Sequence, residues 1–214
     1  MKSVFVFAAA SAALAASPAF AAPLSGAYFG VQVGHDAFEV KAKGTDIGGA
    51  TVSADGLSGN GAVGGVYAGY DVAVGSGFVG VEAAADYSGA GIAIGATDGA
   101  STVAASVKAR ETFSVAARLG LTVASGTGLY AKLGYADTRF RTSITDGSTV
   151  LADSRAKGAF VYGGGIETSL TDSLSLRGEF TVADYGSAGL NEEFGTNGIK
   201  VSNSRTSVGL AYRF

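Results

Sequence analysis

The sequence predicts an all-β fold, an eight-stranded antiparallel up-and-down barrel whose strands cross a membrane. Three observations predict it. Apolar residues alternate with small or polar residues, with a period of two, in eight segments of the chain. The connections between those segments are alternately short and long. The composition, with 34 Gly among 214 residues, 15% charged and 47% apolar residues, suits a sheet with one apolar face and one face of small residues better than a soluble domain.

The first 21 residues differ from the rest of the chain and predict a secretory signal peptide. Lys2 supplies a positive charge, Val4 to Ala16 form a nearly unbroken apolar run, and Ala19 to Ala21 fit the small-x-small cleavage pattern. A transmembrane helix is the alternative, but the apolar run is shorter than the ~20 residues that such a helix needs. We therefore expect a cleaved signal peptide over residues 1–21 and a barrel over residues 22–214.

Each strand is predicted from the alternation of its side chains, with apolar residues on one face and glycines, small residues and charges on the other. Most of the predicted strands are about 9–11 residues long, which is the span of a tilted transmembrane strand. In chain order, the strands and residues of their apolar faces are 26–35 (Phe29, Val31, Val33), 63–72 (Val66, Tyr70, Val72), 79–87 (Val79, Val81, Tyr87), 112–123 (Phe113, Leu119, Leu121), 129–136 (Leu129, Leu133, Tyr135), 160–167 (Phe160, Tyr162, Ile166), 174–182 (Leu174, Leu176, Phe180) and 201–214 (Val208, Leu210, Tyr212, Phe214).

The connections between the strands decide the topology. Three are tight turns, near 75–77, 125–128 and 171–173, and they alternate strictly with four long polar segments. Such alternation predicts eight antiparallel strands with all long loops at one end of the sheet, the pattern of outer-membrane barrels. Closure of the sheet leaves no unpaired backbone edge in lipid. We expect both termini on the periplasmic side, with the tight turns. The long segments, predicted as extracellular loops, are 36–61, 88–106, 141–157 and 186–200.

Aromatic residues are predicted to form two belts at the membrane interfaces, as in barrels of this kind. A soluble core would not group them by height. Near the tight turns the belt consists of Tyr70, Phe78, Tyr212 and Phe214, and near the long segments it consists of Tyr87, Phe113, Tyr135, Phe160, Tyr162, Phe180 and Tyr185.

The alternation also places a set of charged side chains on the inward face of five successive strands. They lie roughly four to seven residues from their tight turns, and therefore at a similar depth at ~3.3 Å per residue. Because a charge away from bulk water costs several kcal/mol unless it is paired, we expect mutual ion pairs. Inward charges of the two signs nearly cancel, which favours a polar plug over a selective pore. The predicted network, with a structural or gating role, consists of Glu82, Arg118, Lys132, Glu167, Arg177 and Glu179.

These features resemble the eight-stranded outer-membrane β-barrel superfamily, which includes OmpA- and OmpX-type barrels and the opacity-protein-like surface porins. The resemblance rests on the signal peptide, the eight alternating segments, the segment Lys132 to Tyr135 and the final ladder Tyr212 to Phe214. It implies an outer-membrane location in a Gram-negative bacterium, with lipid and lipopolysaccharide as partners. In OmpA-type barrels a Glu/Lys/Arg salt-bridge network fills the interior, and the inward charges named above match that role.

The resemblance also has implications for the last strand. Its outward residues Leu210, Tyr212 and Phe214 would form a C-terminal assembly signal for the barrel-assembly machinery. Full OmpA continues into a peptidoglycan-binding domain, whereas this sequence ends at the barrel. A cell-wall tethering role is therefore not expected.

The function that the sequence favours is a structural and surface-interaction barrel, with a polar, ion-paired interior and loops that contact a host or cell-surface ligand. A small diffusion channel is the alternative, and a soluble lipocalin-type barrel is disfavoured because it would place apolar residues inside. A remote alternative is a lipid A-modifying enzyme, which could use His35 with Asp86 and Ser88 near the long-loop rim. Nothing at motif spacing joins these three residues, so we expect no enzyme activity.

Composition disfavours several other classes of function. The net charge of −3 is too small to indicate a nucleic-acid partner. Without cysteine there is no disulfide framework and no thiolate chemistry. One histidine and scattered carboxylates do not form a metal-binding motif, so no cofactor or metal is expected.

Overall fold

The computed structural model describes residues 24–47, 50–98, 101–146, 149–187 and 199–214. The predicted signal peptide lies outside these residues. In the described part, no helix is long and apolar enough to cross a membrane. The strands are β1 (Gly26–Ile47), β2 (Ala50–Val74), β3 (Gly77–Ser88), β4 (Gly91–Asp98), β5 (Ser101–Ala124), β6 (Thr127–Asp146), β7 (Thr149–Ser169), β8 (Leu174–Ser187) and β9 (Ile199–Arg213).

The strands close into a ring. The sheet order is β3-β2-β1-β9-β8-β7-β6-β5-β4, and β3 also pairs with β5. Both β3 and β4 lie antiparallel to β5 and follow one another along it, so they are two parts of one barrel strand. At the interruption the Gly89 amide donates to Ala62 and the Ala109 amide donates to Ala90, both at 2.9 Å. The ring therefore has eight antiparallel members, and the predicted all-β eight-stranded barrel is confirmed.

The segments that were predicted as long loops are largely strand, which corrects the sequence prediction. Pairing of β1 with β2 continues from Asp36–Gly61 to Ile47–Ala50, across nearly the whole of the first segment. The segments 88–106 and 141–157 are likewise mostly paired, and 188–198 of the fourth lie outside the described residues. An antiparallel partner satisfies the backbone hydrogen bonds whatever the side chains are, so a Gly-, Ser- and Thr-rich composition does not by itself end a strand.

The tight turns agree with the prediction. Gly75 and Gly126 adopt positive φ values of 60° and 68°, and each stands in a two-residue connection between antiparallel strands. Such connections favour glycine because L side chains rarely adopt this backbone conformation. The first described residues and the end of β9 lie at this same rim, where the Phe214 amide donates to the Ala27 carbonyl at 3.0 Å.

Side chains divide sharply between the two faces of the wall. The outer face is aliphatic and aromatic, with Val33 67%, Leu119 63% and Leu121 63% exposed. The enclosed space of the barrel, here called the lumen, instead buries charges, with Arg118 and Arg177 each 2% exposed. This arrangement is the reverse of a soluble barrel with an apolar interior.

Apolar clusters lie in the lumen towards both of its ends. At the tight-turn end Phe78 packs with Leu24 and Tyr130. At the hairpin end Phe38 and Tyr185 are buried in a second cluster, against which Phe140 packs. The ring centroids of Phe140 and Tyr185 are 5.3 Å apart in an edge-to-face arrangement.

Two aromatic residues therefore leave the predicted interfacial belts and point inward. Phe78 precedes the outward Val79 in the alternation, and its side chain uses the space left by Gly120, where an added Cβ would lie 2.3 Å from the ring. Tyr185 is 6% exposed inside the barrel. The belt assignment relied on height along the strand and ignored the side of the wall on which each ring lies.

Candidate functional site in the barrel lumen

The charged residues selected from the sequence come from β3, β5, β6, β7 and β8, and all lie in the lumen. Their backbones are held at matching heights by the strand register. Arg118 of β5 lies directly opposite Lys132 of β6, and Glu167 of β7 lies opposite Arg177 of β8. Their long side chains then reach across the lumen to partners on strands that are not neighbours.

Glu82 is the centre of one half of the network. The Lys132 ammonium donates to its Oε1 at 2.7 Å, and the Arg177 guanidinium donates to its Oε2 at 2.5 Å. The Tyr28 hydroxyl also donates to Oε2, at 2.9 Å. Lys132 donates in turn to Glu179 at 3.1 Å. These groups are almost wholly removed from solvent, so each charge is stabilised by its partners rather than by water.

The other half of the network is organised around Arg118. Its guanidinium donates to Glu167 at 2.8 Å and to Asp71 at 3.2 Å. Arg213 contacts the same two carboxylates, each at 3.1 Å. Asp71 and Arg213 are thus full members of the network, although they are not among the six residues selected from the sequence.

The network is electrically neutral. Its cations are Arg118, Lys132, Arg177 and Arg213, and its carboxylates are Asp71, Glu82, Glu167 and Glu179, so four positive charges meet four negative charges. A neutral layer presents no excess of either sign to an ion entering the lumen. We refer to these eight residues as the lumen network.

Tyrosine rings fill the space between these charges. The guanidinium carbon of Arg177 lies 3.4 Å from the centroid of the Tyr67 ring, and that of Arg118 lies 4.2 Å from Tyr130. Arg213 similarly lies 4.6 Å from the ring of Tyr28. Cation–π contact supports the arginines on the side that their carboxylates leave open. Alternation places these tyrosines inward, but it does not show which cation each one covers.

A smaller charge cluster lies nearer the hairpin end. Arg205 donates to Asp36 at 2.7 Å and to Asp86 at 2.6 Å. Gln32 joins it to the lumen network, because its amide donates to Asp86 at 2.6 Å and its carbonyl accepts from Arg177 at 2.8 Å. Because Gln32 is neutral, no charge pattern in the sequence indicates this link.

Between the two charge clusters lies a polar cavity of about 40 Å³, lined in part by Gln32, Asp86, Lys132 and Arg205. Such a volume has room for a few water molecules and is too small for an organic substrate.

The three residues of the predicted enzyme alternative are not brought together. His35 is exposed on the outer face of β1, whereas Asp86 and Ser88 are buried on the inner face of β3. The barrel wall separates them, so they cannot act as nucleophile and base within hydrogen-bond reach. In the described ranges, no three His, Cys, Asp or Glu residues are grouped as a metal site.

The residues of the predicted assembly signal form an outward ladder on the last strand. Leu210 and Tyr212 are 40% and 44% exposed, and Phe214 is 77% exposed. The rings of Tyr212 and Phe214 contact one another at 5.1 Å between centroids, and both contact Phe29 of β1 at 6.1 Å. An aromatic patch therefore covers the seam where the first and last strands meet.

Comparison with known proteins gives one family. Residues 6–214 match a family model described as outer membrane protein beta-barrel domain. No curated protein matches the chain. Among solved structures, the outer membrane protease OmpT of Escherichia coli is 9% identical, with 88% of this chain and 97% of that chain covered and a TM-score of 0.52.

Two further solved structures align over most of the chain. Ail, the attachment invasion locus protein of Yersinia pestis, is 17% identical, with 89% of this chain and 100% of that chain covered and a TM-score of 0.45. OprG of Pseudomonas aeruginosa is 13% identical, with 89% and 96% covered and a TM-score of 0.48.

Proposed function

Because this chain belongs to the outer membrane protein β-barrel family, and so lies in the outer membrane of a Gram-negative bacterium, we propose that it is a structural and surface-interaction barrel with a closed lumen. Its eight strands cross the membrane, and its long hairpins extend beyond the surface towards host or cell-surface ligands. Lipid and lipopolysaccharide surround its apolar wall.

The proposed placement follows from the two ends of the barrel. Tight turns belong on the periplasmic side and long hairpins on the outer side in proteins of this family. Both termini of the barrel, residues 22–214, are then periplasmic, after removal of the signal peptide over residues 1–21. The outward ladder of Leu210, Tyr212 and Phe214 is proposed as the surface that the barrel-assembly machinery recognises.

The observation that supports this function is the packing of side chains inside the lumen at three successive levels. Phe78 and its neighbours fill the tight-turn end, the lumen network fills the middle, and the cluster around Phe38 and Tyr185 fills the hairpin end. Eight strands enclose a space that side chains can fill. This packing supports a structural role over a diffusion channel, which needs a continuous aqueous path.

Conductance across planar bilayers tests the proposal. Purified barrel, inserted at single-molecule density, is expected to give no steady open state. Replacement of Phe78 by alanine, which removes one of the closing side chains, provides the comparison for a partly opened lumen. A steady large conductance of the wild-type protein that is abolished by Gly120→Leu, which fills the lumen further, would establish the channel alternative instead.

The structure gives no support to transfer of an activity from OmpT. Its likeness to this chain is at 9% identity, and fold alone does not carry function. Mass spectrometry of lipid A from cells that express wild-type protein or His35→Ala tests the remaining enzyme alternative. We expect the same lipid A species in both.

A further inference from the structure

A positively charged patch lies on the outer wall of the barrel, just beyond the aromatic residues at the hairpin end. Lys108 and Arg141 lie directly opposite each other on β5 and β6, and both are exposed. Arg139 is exposed two residues before Arg141 on the same face. Arg110 lies beside them on β5. We call these four residues the basic cluster.

The basic cluster borders a cleft of about 350 Å³ that is open to the outside of the barrel. Its lining residues include Tyr87, Arg110, Arg139, Arg141 and Ser154, together with Glu111. Four cations oppose Glu111 and the nearby exposed Asp137, which leaves a net charge of 4 − 2 = +2. The patch is therefore cationic even after its own carboxylates are counted.

Within the described residues, none of the four cations of the basic cluster makes an ion pair, in contrast to the fully paired cations of the lumen network. The Arg110 guanidinium donates to the Tyr87 hydroxyl, while its Nε is buried and has no hydrogen-bond partner. Because like charges directly opposite each other in a sheet are destabilising, the Lys108–Arg141 pair weakens the wall unless an anion lies between them.

A bulge in β5 creates this arrangement. The register between β5 and β6 shifts between Ala109 and Thr112. Thr112 points inward, so uninterrupted alternation would also point Arg110 and Lys108 inward, against the apolar cluster at the hairpin end. With the bulge, Ala109 is the buried residue, at 3% exposed, and Lys108 faces outward opposite Arg141. Bulges commonly re-aim side chains at functional positions.

The height of the basic cluster matches the headgroups of the outer leaflet. Below it on the outer wall are the interfacial aromatics Tyr87, Phe113 and Tyr135, each more than half exposed. Arg139 is four residues beyond Tyr135, about 13 Å along the strand and ~10 Å above it after allowance for strand tilt. Arginine and lysine side chains are long enough to reach back from there to headgroup phosphates.

We propose that the basic cluster binds the phosphate groups of a phosphorylated glycolipid of the outer leaflet, of the lipid A type. This inference rests on the membrane placement proposed above. Arginine forks recognise phosphate in a bidentate manner, and several cations spaced across two strands suit a headgroup that carries more than one phosphate. The Tyr87 and Phe113 rings below contact the start of the acyl chains.

The test is a lipid titration of the refolded barrel in detergent micelles, followed by native mass spectrometry. The probes are bisphosphorylated lipid A, the same lipid A without phosphates, phosphatidylglycerol and inorganic phosphate. We expect the wild-type protein to bind one bisphosphorylated lipid A at least about tenfold more tightly than the double variant Arg139→Gln/Arg141→Gln does. The reason is that each Lys or Arg near an anionic membrane surface adds to the binding affinity, and the variant lacks two of them. Lys108→Gln/Arg110→Gln should show a similar loss.

Arg155→Gln is the matched control. Arg155 is an exposed arginine at the same height, and it pairs with Asp153 at 2.9 Å. Because it lies directly opposite the inward-facing Phe140, it is on the other face of the sheet from the basic cluster. Its replacement should leave lipid binding unchanged. The glycolipid site would be refuted if both double variants bound bisphosphorylated lipid A as tightly as the wild type does. It would also be refuted if the wild type bound dephosphorylated lipid A or phosphatidylglycerol as tightly as bisphosphorylated lipid A. A third result would refute it as well, namely that inorganic phosphate binds the basic cluster and lipid A does not displace it.

Insertion into lipid vesicles, monitored by heat-modifiable gel mobility, separates the two proposals. A wild-type chain that fails to insert contradicts the membrane placement itself. Variants that insert normally and bind lipid A as the wild type does contradict the glycolipid site alone.

Discussion

At the scale of single residues, Glu82 makes more contacts to cations than any other carboxylate of the lumen network. Arg118 lies 3.7 Å from it, in addition to the direct hydrogen bonds from Lys132 and Arg177. Glu82→Ala would leave these cations without a shared partner in a space that excludes bulk water. Loss of one member of a buried pair commonly costs about 3–5 kcal/mol, and we expect a loss of that size in the free energy of unfolding, measured by urea titration in lipid vesicles.

Asp153→Ala provides the comparison. Asp153 also pairs with an arginine, Arg155, but both side chains are largely exposed. Solvent-exposed pairs contribute little because water already stabilises the charges, so the same titration should show no change. A Glu82→Ala barrel as stable as wild type would mean that water or rearranged side chains replace the carboxylate, and that the network is not a structural element.

At this scale the sequence indicates on which face a side chain lies but not which partner it contacts. A period of two shows that Arg118 and Glu82 share the inner face, because side chains of a strand can only alternate. It does not show that Arg118 donates to Glu167 across the lumen, since that depends on barrel diameter and side-chain length. Gln32 and Phe78 have no charge to indicate their inward roles.

At the scale of elements, the long hairpins depend on the aromatic cluster at their base. Phe38 of β1 contacts Phe140 of β6 at 5.9 Å and Tyr185 of β8 at 6.3 Å between ring centroids. Phe38→Ala would remove the ring that joins three hairpins. Truncation of a buried Phe costs about 3–5 kcal/mol, and we expect amides of β1 and β2 beyond Asp36 to exchange with solvent at least about 100-fold faster.

Hydrogen exchange read by mass spectrometry measures this effect locally. Phe113→Ala is the control, because Phe113 is 62% exposed on the outer wall and takes no part in the cluster. Exchange in the centre of the barrel should stay slow in both variants. Faster exchange that spreads evenly over all strands would show that the hairpins and the wall unfold together, contrary to the prediction.

The strand cores follow the alternation of the sequence, whereas the strand extensions and the β5 bulge do not. Strand cores were predicted because apolar residues must face one environment and small or polar residues the other. Beyond these cores the alternation in the sequence weakens, while backbone pairing continues from Asp36–Gly61 to Ile47–Ala50. The β5 bulge has no sequence signature of its own. The structure shows it, because the Ala109 side chain lies in the lumen and the Lys108 side chain lies on the outer wall.

At the scale of the whole molecule, the aliphatic outer wall predicts a dependence on lipid. Leu119 stands in the middle of the wall and is 63% exposed. In a bilayer Leu119→Arg is expected to cost about 2–4 kcal/mol of unfolding free energy, while Leu170→Arg, in the turn region between β7 and β8, is expected to cost about 0–1 kcal/mol. Unfolding of both variants in phospholipid vesicles measures the difference.

A soluble barrel would respond differently. An exposed arginine in water is close to neutral for stability, so equal stabilities of the Leu119 and Leu170 variants would contradict the membrane placement. Greater destabilisation at the rim than at the middle of the wall would contradict it as well, because the effect of charge in lipid increases with depth.

Eight strands and their antiparallel order were predictable at this scale because alternating short and long connections allow few topologies. Ring closure was predictable from physics, since an open edge in lipid leaves backbone groups unpaired. The division of one barrel strand into β3 and β4 was not, because Gly89 and Ala90 keep hydrogen bonds to their neighbours without regular strand geometry.

The long sequence separations within the lumen network constrain how the protein is made. Glu82 and Arg177 are 95 positions apart, and Arg205 and Asp36 are 169 positions apart. A nascent sheet that has not yet joined β1 to β9 holds these groups on distant strands, where each ion would have to enter hydrocarbon alone. On the proposed membrane placement, β1 and β9 must therefore pair as the strands insert, and a sheet with an open seam would stay at the membrane–water interface.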